Sequence, residues 1–123
     1  MGLSSSRAAG ALVFLASCVM TPSVLAHAHL KQQTPAADSL VTAPRTLTLT
    51  FSEGIEPGFS GVVVTDAQKQ TIRTGAVKRD EKDKTQLNVS LDRELTPGTY
   101  QVDWHVVSVD GHKTKGSYHF SVK

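Results

Sequence analysis

The sequence is poor in sulfur. Its 123 residues include one cysteine and two methionines, and these three residues, Met1, Cys18 and Met20, all lie near the start of the chain. From residue 21 onward there is no thiol or thioether, which excludes a disulfide framework and sulfur ligands for a soft metal ion. All five histidines lie in this later part of the chain: His27, His29, His105, His112 and His119.

Long apolar runs and an excess of one charge are also missing. The formal net charge is +2, from 13 Lys and Arg against 11 Asp and Glu, and no basic patch stands out. We therefore expect no nucleic-acid partner. The apolar run 8–16 is well short of the roughly 20 residues that span a bilayer.

The first 26 residues have the composition of a secretory signal. Arg7 is their only charge, the apolar run 8–16 follows it, and Val24-Leu25-Ala26 ends in a small residue typical of a signal-peptidase site. Cleavage after Ala26 leaves residues 27–123 as one small domain, exported to the periplasm. In an alternative, Leu15-Ala16-Ser17-Cys18 is a lipoprotein cleavage site, and the mature chain is held on a membrane through Cys18. The mass of the mature protein distinguishes the two.

Residues 27–123 alternate between short strand patterns and turn signals. In residues 46–51 the alternation places Leu47, Leu49 and Phe51 on one face. Further strands are predicted at 61–65, 86–91, 99–109 and 116–122, and the charged run 78–84 is predicted to be a solvated hairpin or loop. Residues 95–100 resemble a tyrosine corner. The predicted fold is all-β: a single antiparallel Greek-key sandwich or barrel of immunoglobulin type, with no feature that demands more than a monomer.

His27 is the first candidate metal ligand. Once cleavage frees it, its α-amine and its imidazole can chelate one ion, and both are nitrogen donors that suit copper(II). The α-amine is less basic than a lysine, so it gives up its proton to a metal at small cost. The alternative is that His27 is simply the frayed first residue of the mature chain.

Asp110-Gly111-His112 is the second candidate. A carboxylate and an imidazole two residues apart can face one ion if the glycine bends the chain between them, although Asp-Gly is also a favoured hairpin turn that needs no metal. Glu53 continues the inward phase of strand 46–51 at the rim of the core. It is either a weak ligand, a group that orients a histidine, or a carboxylate bonded to backbone amides.

The remaining histidines are weaker candidates for metal ligands. His27-Ala28-His29 fits the amino-terminal copper motif, in which the amine, two deprotonated amides and the third-position imidazole bind the ion. A folded domain with a pinned end disfavours that geometry, so His29 is expected to be packed or to support the site. His105 and His119 fall on outward strand positions and are expected to be exposed bystanders.

Taken together, the motifs resemble the CopC family of periplasmic copper-binding proteins. The resemblance covers essentially all of residues 27–123 and is carried by His27-Ala28-His29-Leu30, Thr34-Pro35-Ala36, residues 49–53, residues 97–100, Trp104 and residues 107–116. The resemblance implies an immunoglobulin-like fold that holds one copper(II) through His27, Asp110 and His112, with Glu53 close to the site. It also implies a partner protein, a CopD-like protein of the inner membrane. Some members have a methionine-rich copper(I) site, which this chain lacks after processing.

Two other function classes remain as alternatives. An N-terminal histidine also holds copper in polysaccharide monooxygenases, but these leave an open position that Asp110 would occupy here. The last class is a metal-free structural module, which a copper titration without binding would favour. The expected function is copper(II) binding without catalysis.

Overall fold

The computed structural model describes residues 28–123, which form nine strands. They are β1 (Leu30–Thr34), β2 (Leu40–Val41), β3 (Thr46–Phe51), β4 (Gly61–Thr65), β5 (Thr71–Ile72), β6 (Lys78–Arg79), β7 (Gln86–Ser90), β8 (Gly98–Val107) and β9 (Lys113–Val122). One sheet has the order β1-β3-β7-β6 and the other the order β2-β9-β8-β4-β5. A short 3₁₀ turn, Pro57–Phe59, precedes β4. Within residues 28–123, no helix has the length and apolar character needed to cross a membrane.

The two sheets bury their alternating apolar faces against each other, as the sequence predicts. On β3, Leu47, Leu49 and Phe51 are at most 1% exposed. On β8 and β9 the inward residues are equally apolar, and all are buried: Tyr100, Val102, Trp104, Val106, Tyr118, Phe120 and Val122. The predicted immunoglobulin-like β-sandwich is therefore confirmed.

Several details of the strand layout differ from the sequence prediction, among them the end of β8 at Val107 and not at residue 109. Strand β9 begins at Lys113 and not at residue 116, because it pairs with β8 along its whole length. Residues 30–34 form an additional edge strand, β1, on β3. The pairing is not wholly antiparallel, because Leu40 and Val41 run parallel to the end of β9. The charged segment is a hairpin, with Lys78 and Arg79 paired to β7.

Aromatic side chains support the end of the sandwich where β8 leads into β9. The Trp104 ring packs edge-on against Phe51, with ring centroids 5.1 Å apart. A Cβ atom at Gly116 would lie 2.6 Å from Cζ2 of Trp104, so the close approach of the ring requires glycine there. At the opposite end of β8, the Tyr100 hydroxyl donates to the Thr96 carbonyl at 2.6 Å, which forms the predicted tyrosine corner.

Tyr118 is the one buried residue of the described chain whose side-chain oxygen has no hydrogen-bond partner. Burial raises the pKa of Tyr118 to about 12. Since the fold favours the neutral phenol, its contribution to stability is complete below about pH 10, the unfolded value, and is lost as the pH rises toward 12.

We expect Tyr118→Phe to raise the free energy of unfolding at pH 7 by about 1 kcal/mol, because it removes an unsatisfied buried hydroxyl. The variant should also lose less stability than the wild type between pH 9 and pH 11. Urea unfolding at each pH measures both effects. Tyr100→Phe is the matched control and should destabilise, since its hydroxyl is bonded. Equal destabilisation by the two substitutions would contradict this reading of Tyr118.

Candidate metal centre

Three segments of the chain meet at the end of the sandwich where β3 and β8 finish and β9 starts. Ile55, in the loop after β3, forms a bridge with Ser108. Next to it, the Val109 amide donates to the Gly54 carbonyl at 2.9 Å. The loop after β3 therefore lies directly against the turn that joins β8 to β9, and the first described residues form the third segment.

The first described residues are held tightly at this end. Ala28 is 1% exposed, and its carbonyl accepts a hydrogen bond of 3.0 Å from Oγ1 of Thr114 on β9. The His29 amide donates to Oγ of Ser52 at 2.8 Å, and the Ser52 amide donates to the His29 carbonyl at 2.8 Å. Ala28 is thus fixed beside the start of β9. His27 and the proposed cleavage site lie outside the described residues.

The structure brings together the side chains of Asp110 and His112. Nδ1 of His112 lies 3.1 Å from Oδ2 of Asp110, and the side chains are 46% and 41% exposed, respectively. Gly111 between them has a φ of +91°, which lets the chain turn so that both side chains face the same side. Two donor atoms that bind one metal at right angles through bonds of about 2 Å are about 3 Å apart. The separation therefore suits neighbouring positions on one ion.

Ser108 contacts both residues of this pair, and it was not among the site residues predicted from the sequence. It is 0% exposed and is the one polar residue in the buried set of the described chain. Its hydroxyl donates to Oδ1 of Asp110 and accepts from the His112 amide at 3.3 Å. A signal for it was present, since Ser108 is a polar residue in the inward phase of Val102, Trp104 and Val106.

The Ser108 hydrogen bond also affects the charge of the site. It is the main cause that holds the pKa of Asp110 below its ordinary value, with smaller contributions from hydrogen bonds and charge at His112, while partial desolvation acts in the opposite direction. The carboxylate of Asp110 is therefore ionised at neutral pH, which is the form that binds a metal.

Glu53 is distant from the turn in the sequence but belongs to the loop after β3 that packs against it. It sits half-buried in the bend after β3, one residue before the Gly54 carbonyl that binds Val109. Among residues 28–123, no hydrogen bond or ion pair is found for its carboxylate. The structure therefore places it at the rim, as expected, without a bond to Asp110 or His112.

The other histidines lie apart from this pair. The His29 side chain is exposed, which corrects the expectation that it is packed. His105 and His119 are exposed, as predicted, and Nε2 of His119 lies 3.1 Å from Oε1 of Gln101. Within the described part of the chain, no three His, Cys, Asp or Glu side chains converge as a metal site. A site at the turn needs a ligand beyond Asp110 and His112.

The fold and this pair define a class of protein: an immunoglobulin-like β-sandwich with a carboxylate and an imidazole at the end of one hairpin. The chain belongs to the CopC family, because the family model described as the CopC domain matches residues 30–123. It is 59% identical over 114 residues to Protein YobA of Escherichia coli strain K12, covering 92% of each chain. The family resemblance seen in the sequence is confirmed.

Two solved structures agree in fold. CopC from Methylosinus trichosporium OB3b is similar with a TM-score of 0.74 and 31% identity, over 79% of this chain and 94% of that chain. PcoC, a methionine rich copper resistance protein from Escherichia coli, has a TM-score of 0.71 and 35% identity, over 79% of this chain and 99% of that chain.

The turn geometry leads to a stability prediction at Gly111. Its positive φ strains any residue with a Cβ atom, although there is open space around the position. We expect Gly111→Ala to lower the free energy of unfolding by about 1 kcal/mol. Gly58→Ala is the control, because a Cβ there also meets open space and the backbone lies outside the left-handed region. Urea unfolding of both variants tests this, and equal effects would contradict it.

Proposed function

We propose that the mature chain is a periplasmic protein that begins at His27 and binds one copper(II) ion. The ligands are the α-amine and imidazole of His27, the carboxylate of Asp110 and the imidazole of His112. The main support for this copper site is the hydrogen bond from the Thr114 hydroxyl to the Ala28 carbonyl. It holds the residue after His27 beside the strand that starts immediately after His112.

The chemistry of these donors favours copper(II). Three nitrogens and one carboxylate oxygen are borderline to hard donors that suit the oxidised ion in a tetragonal arrangement. A blue-copper electron-transfer site would need a cysteine ligand, and no cysteine follows residue 18. Methionine is equally absent after residue 20. We therefore propose a single site, without the sulfur ligands that a copper(I) site would use.

The hydrogen bonds of His29 disfavour the three-residue amino-terminal motif. That motif needs the His29 amide to lose its proton to the metal. Here the amide donates to Oγ of Ser52 at 2.8 Å, and the His29 carbonyl accepts from the Ser52 amide. Binding through the motif would break at least the first of these bonds and detach the segment from the domain.

The proposed role is binding and not catalysis. One relative is named for copper resistance, and a nitrogen-rich site with an ionised carboxylate suits tight retention of copper(II). We propose that the protein, as a monomer, buffers this ion in the periplasm or delivers it to a CopD-like inner-membrane protein. Glu53, half-buried at the rim, is proposed as a weak additional ligand or as an acceptor that orients a histidine.

The His27 assignment predicts a large loss of affinity on substitution. In a chain that starts at residue 27, we expect His27→Ala to weaken copper(II) binding by about 100-fold or more, because a chelating imidazole is lost. One extra glycine before His27 should have a comparable effect, since it moves the amine away. Competition titration against a chromogenic chelator measures the dissociation constants. The control is His119→Ala, an exposed histidine that should leave affinity unchanged, and unchanged affinity in His27→Ala would disprove the site.

The donor set predicts a distinct spectrum. With one equivalent of copper(II), electron paramagnetic resonance should show a tetragonal ion with three nitrogen ligands and oxygen in the fourth position. His29→Ala should leave this spectrum unchanged, and His112→Ala should reduce the nitrogen count. A spectrum with four nitrogens that depends on His29 would instead establish the three-residue motif.

A further inference from the structure

We propose that Ser108 is a positioning residue that decides which oxygen of Asp110 faces the metal. It holds Oδ1 and leaves Oδ2, beside Nδ1 of His112, as the binding atom. This assignment rests on the proposed function, because it takes Asp110 to be a copper ligand.

The two oxygens of Asp110 have different surroundings in the structure. Oδ1 accepts the hydrogen bond from the buried Ser108 hydroxyl and lies 3.4 Å from the His112 amide. Oδ2 lies 3.1 Å from the His112 imidazole. Both oxygens are therefore engaged, but by different groups: Oδ1 by a buried hydroxyl and Oδ2 by a partly exposed imidazole. A histidine nitrogen gives up its proton when it binds a metal, so the contact at Oδ2 is the one that an ion would replace.

The Ser108 hydroxyl is not required to close the turn, because backbone hydrogen bonds already do so. The Ser108 amide donates to the His112 carbonyl at 2.9 Å, and the Gly111 amide donates to the Ser108 carbonyl at 2.8 Å. Valine or alanine at this inward position would keep both bonds. To these two backbone bonds the hydroxyl adds its contact with the carboxylate and longer contacts with the amide and carbonyl of His112.

Ser108 is also held rigidly, which a positioning residue requires. It is fully buried, it bridges to Ile55, and the next residue, Val109, is bonded to Gly54. A hydroxyl buried in an apolar face is costly unless it is bonded. The Asp110 carboxylate is the nearer acceptor for this hydroxyl, and the His112 carbonyl, at 3.4 Å, is the farther one.

The first test compares Ser108→Ala with Ser60→Ala in chains that start at residue 27. Ser60 is a matched control, because its partly buried hydroxyl bonds Glu56 and Val107 at the same end of the sandwich without touching Asp110. Ser108→Ala should weaken copper(II) binding by about 10–100-fold, the usual effect of losing a group that orients a ligand. It should also shift the paramagnetic resonance spectrum, while Ser60→Ala should change neither. Thermal unfolding of the metal-free variants checks that each is folded.

A double-mutant cycle with Asp110→Asn separates positioning from a general structural effect. If Ser108 acts through the carboxylate, Ser108→Ala should cost little further affinity once Asp110 is already asparagine. An equal loss in both backgrounds would overturn the proposal, as would wild-type affinity and spectrum in Ser108→Ala. If the wild-type chain binds no copper(II), the proposed function itself is wrong.

A measurement on the unmodified protein needs no variant to fold. A buried hydroxyl that donates to a carboxylate exchanges slowly with water, so proton NMR of the metal-free chain should resolve a Ser108 hydroxyl signal with a nuclear Overhauser contact to the Asp110 side chain. A hydroxyl in rapid exchange with water would overturn the assignment.

Discussion

The candidate site depends on one contact between distant parts of the chain, the hydrogen bond from the Thr114 hydroxyl to the Ala28 carbonyl. It joins the beginning of the described chain to a strand that starts 85 residues later in the sequence, at Lys113. The burial of Ala28 and the paired bonds between His29 and Ser52 support the same arrangement. Three hydrogen bonds and a buried methyl group hold residues 28 and 29 against the sandwich, so residue 28 has a defined place next to the hairpin turn.

The rest of the fold makes that place rigid. The turn that carries Asp110 and His112 joins the two longest strands, which pair along ten residues each. Beneath it, Trp104 packs on Phe51 and lies over Gly116. Ligand positions set by the ends of strands are more precise than positions on long loops. The core near Trp104 therefore stabilises the fold and also positions the candidate site, because it fixes the direction in which the hairpin leaves the sheet.

Much of this fold could be predicted from alternating patterns, and some of it could not. Apolar residues at every second position identified β3 and β8 because only one face of each strand is buried. The pairing of Leu40 with the end of β9 leaves no such pattern, since backbone bonds at a sheet edge are largely independent of side chains. The early start of β9 was hidden by Lys113 and Lys115, which are outward residues on a strand predicted from its core face.

The candidate site, like the fold, could be predicted from the sequence only in part. The candidate ligands could be named from the sequence, at His27 and in the Asp-Gly-His turn, because few residue types bind metals. Of these, the structure describes Asp110 and His112 and places their side chains together. The role of Ser108 was not apparent, because a serine among inward residues of a strand has no chemical signature until its partner is known. Its partner is set by the turn at Gly111, which brings Asp110 back toward the strand. The contact between Ser108 and Asp110 depends on the three-dimensional path of the turn. In the sequence it is indicated only by a polar residue at an inward position of an apolar strand face.

A site built from a chain terminus also links metal binding to export. Under the proposed function, the α-amine of His27 exists only after cleavage behind Ala26. In the precursor, the same nitrogen is a peptide amide, which binds copper only if it loses a strongly held proton. The imidazole of His27, Asp110 and His112 alone would make a weaker site without the chelate. The proposed function therefore implies that tight copper(II) binding begins only when the chain has been processed.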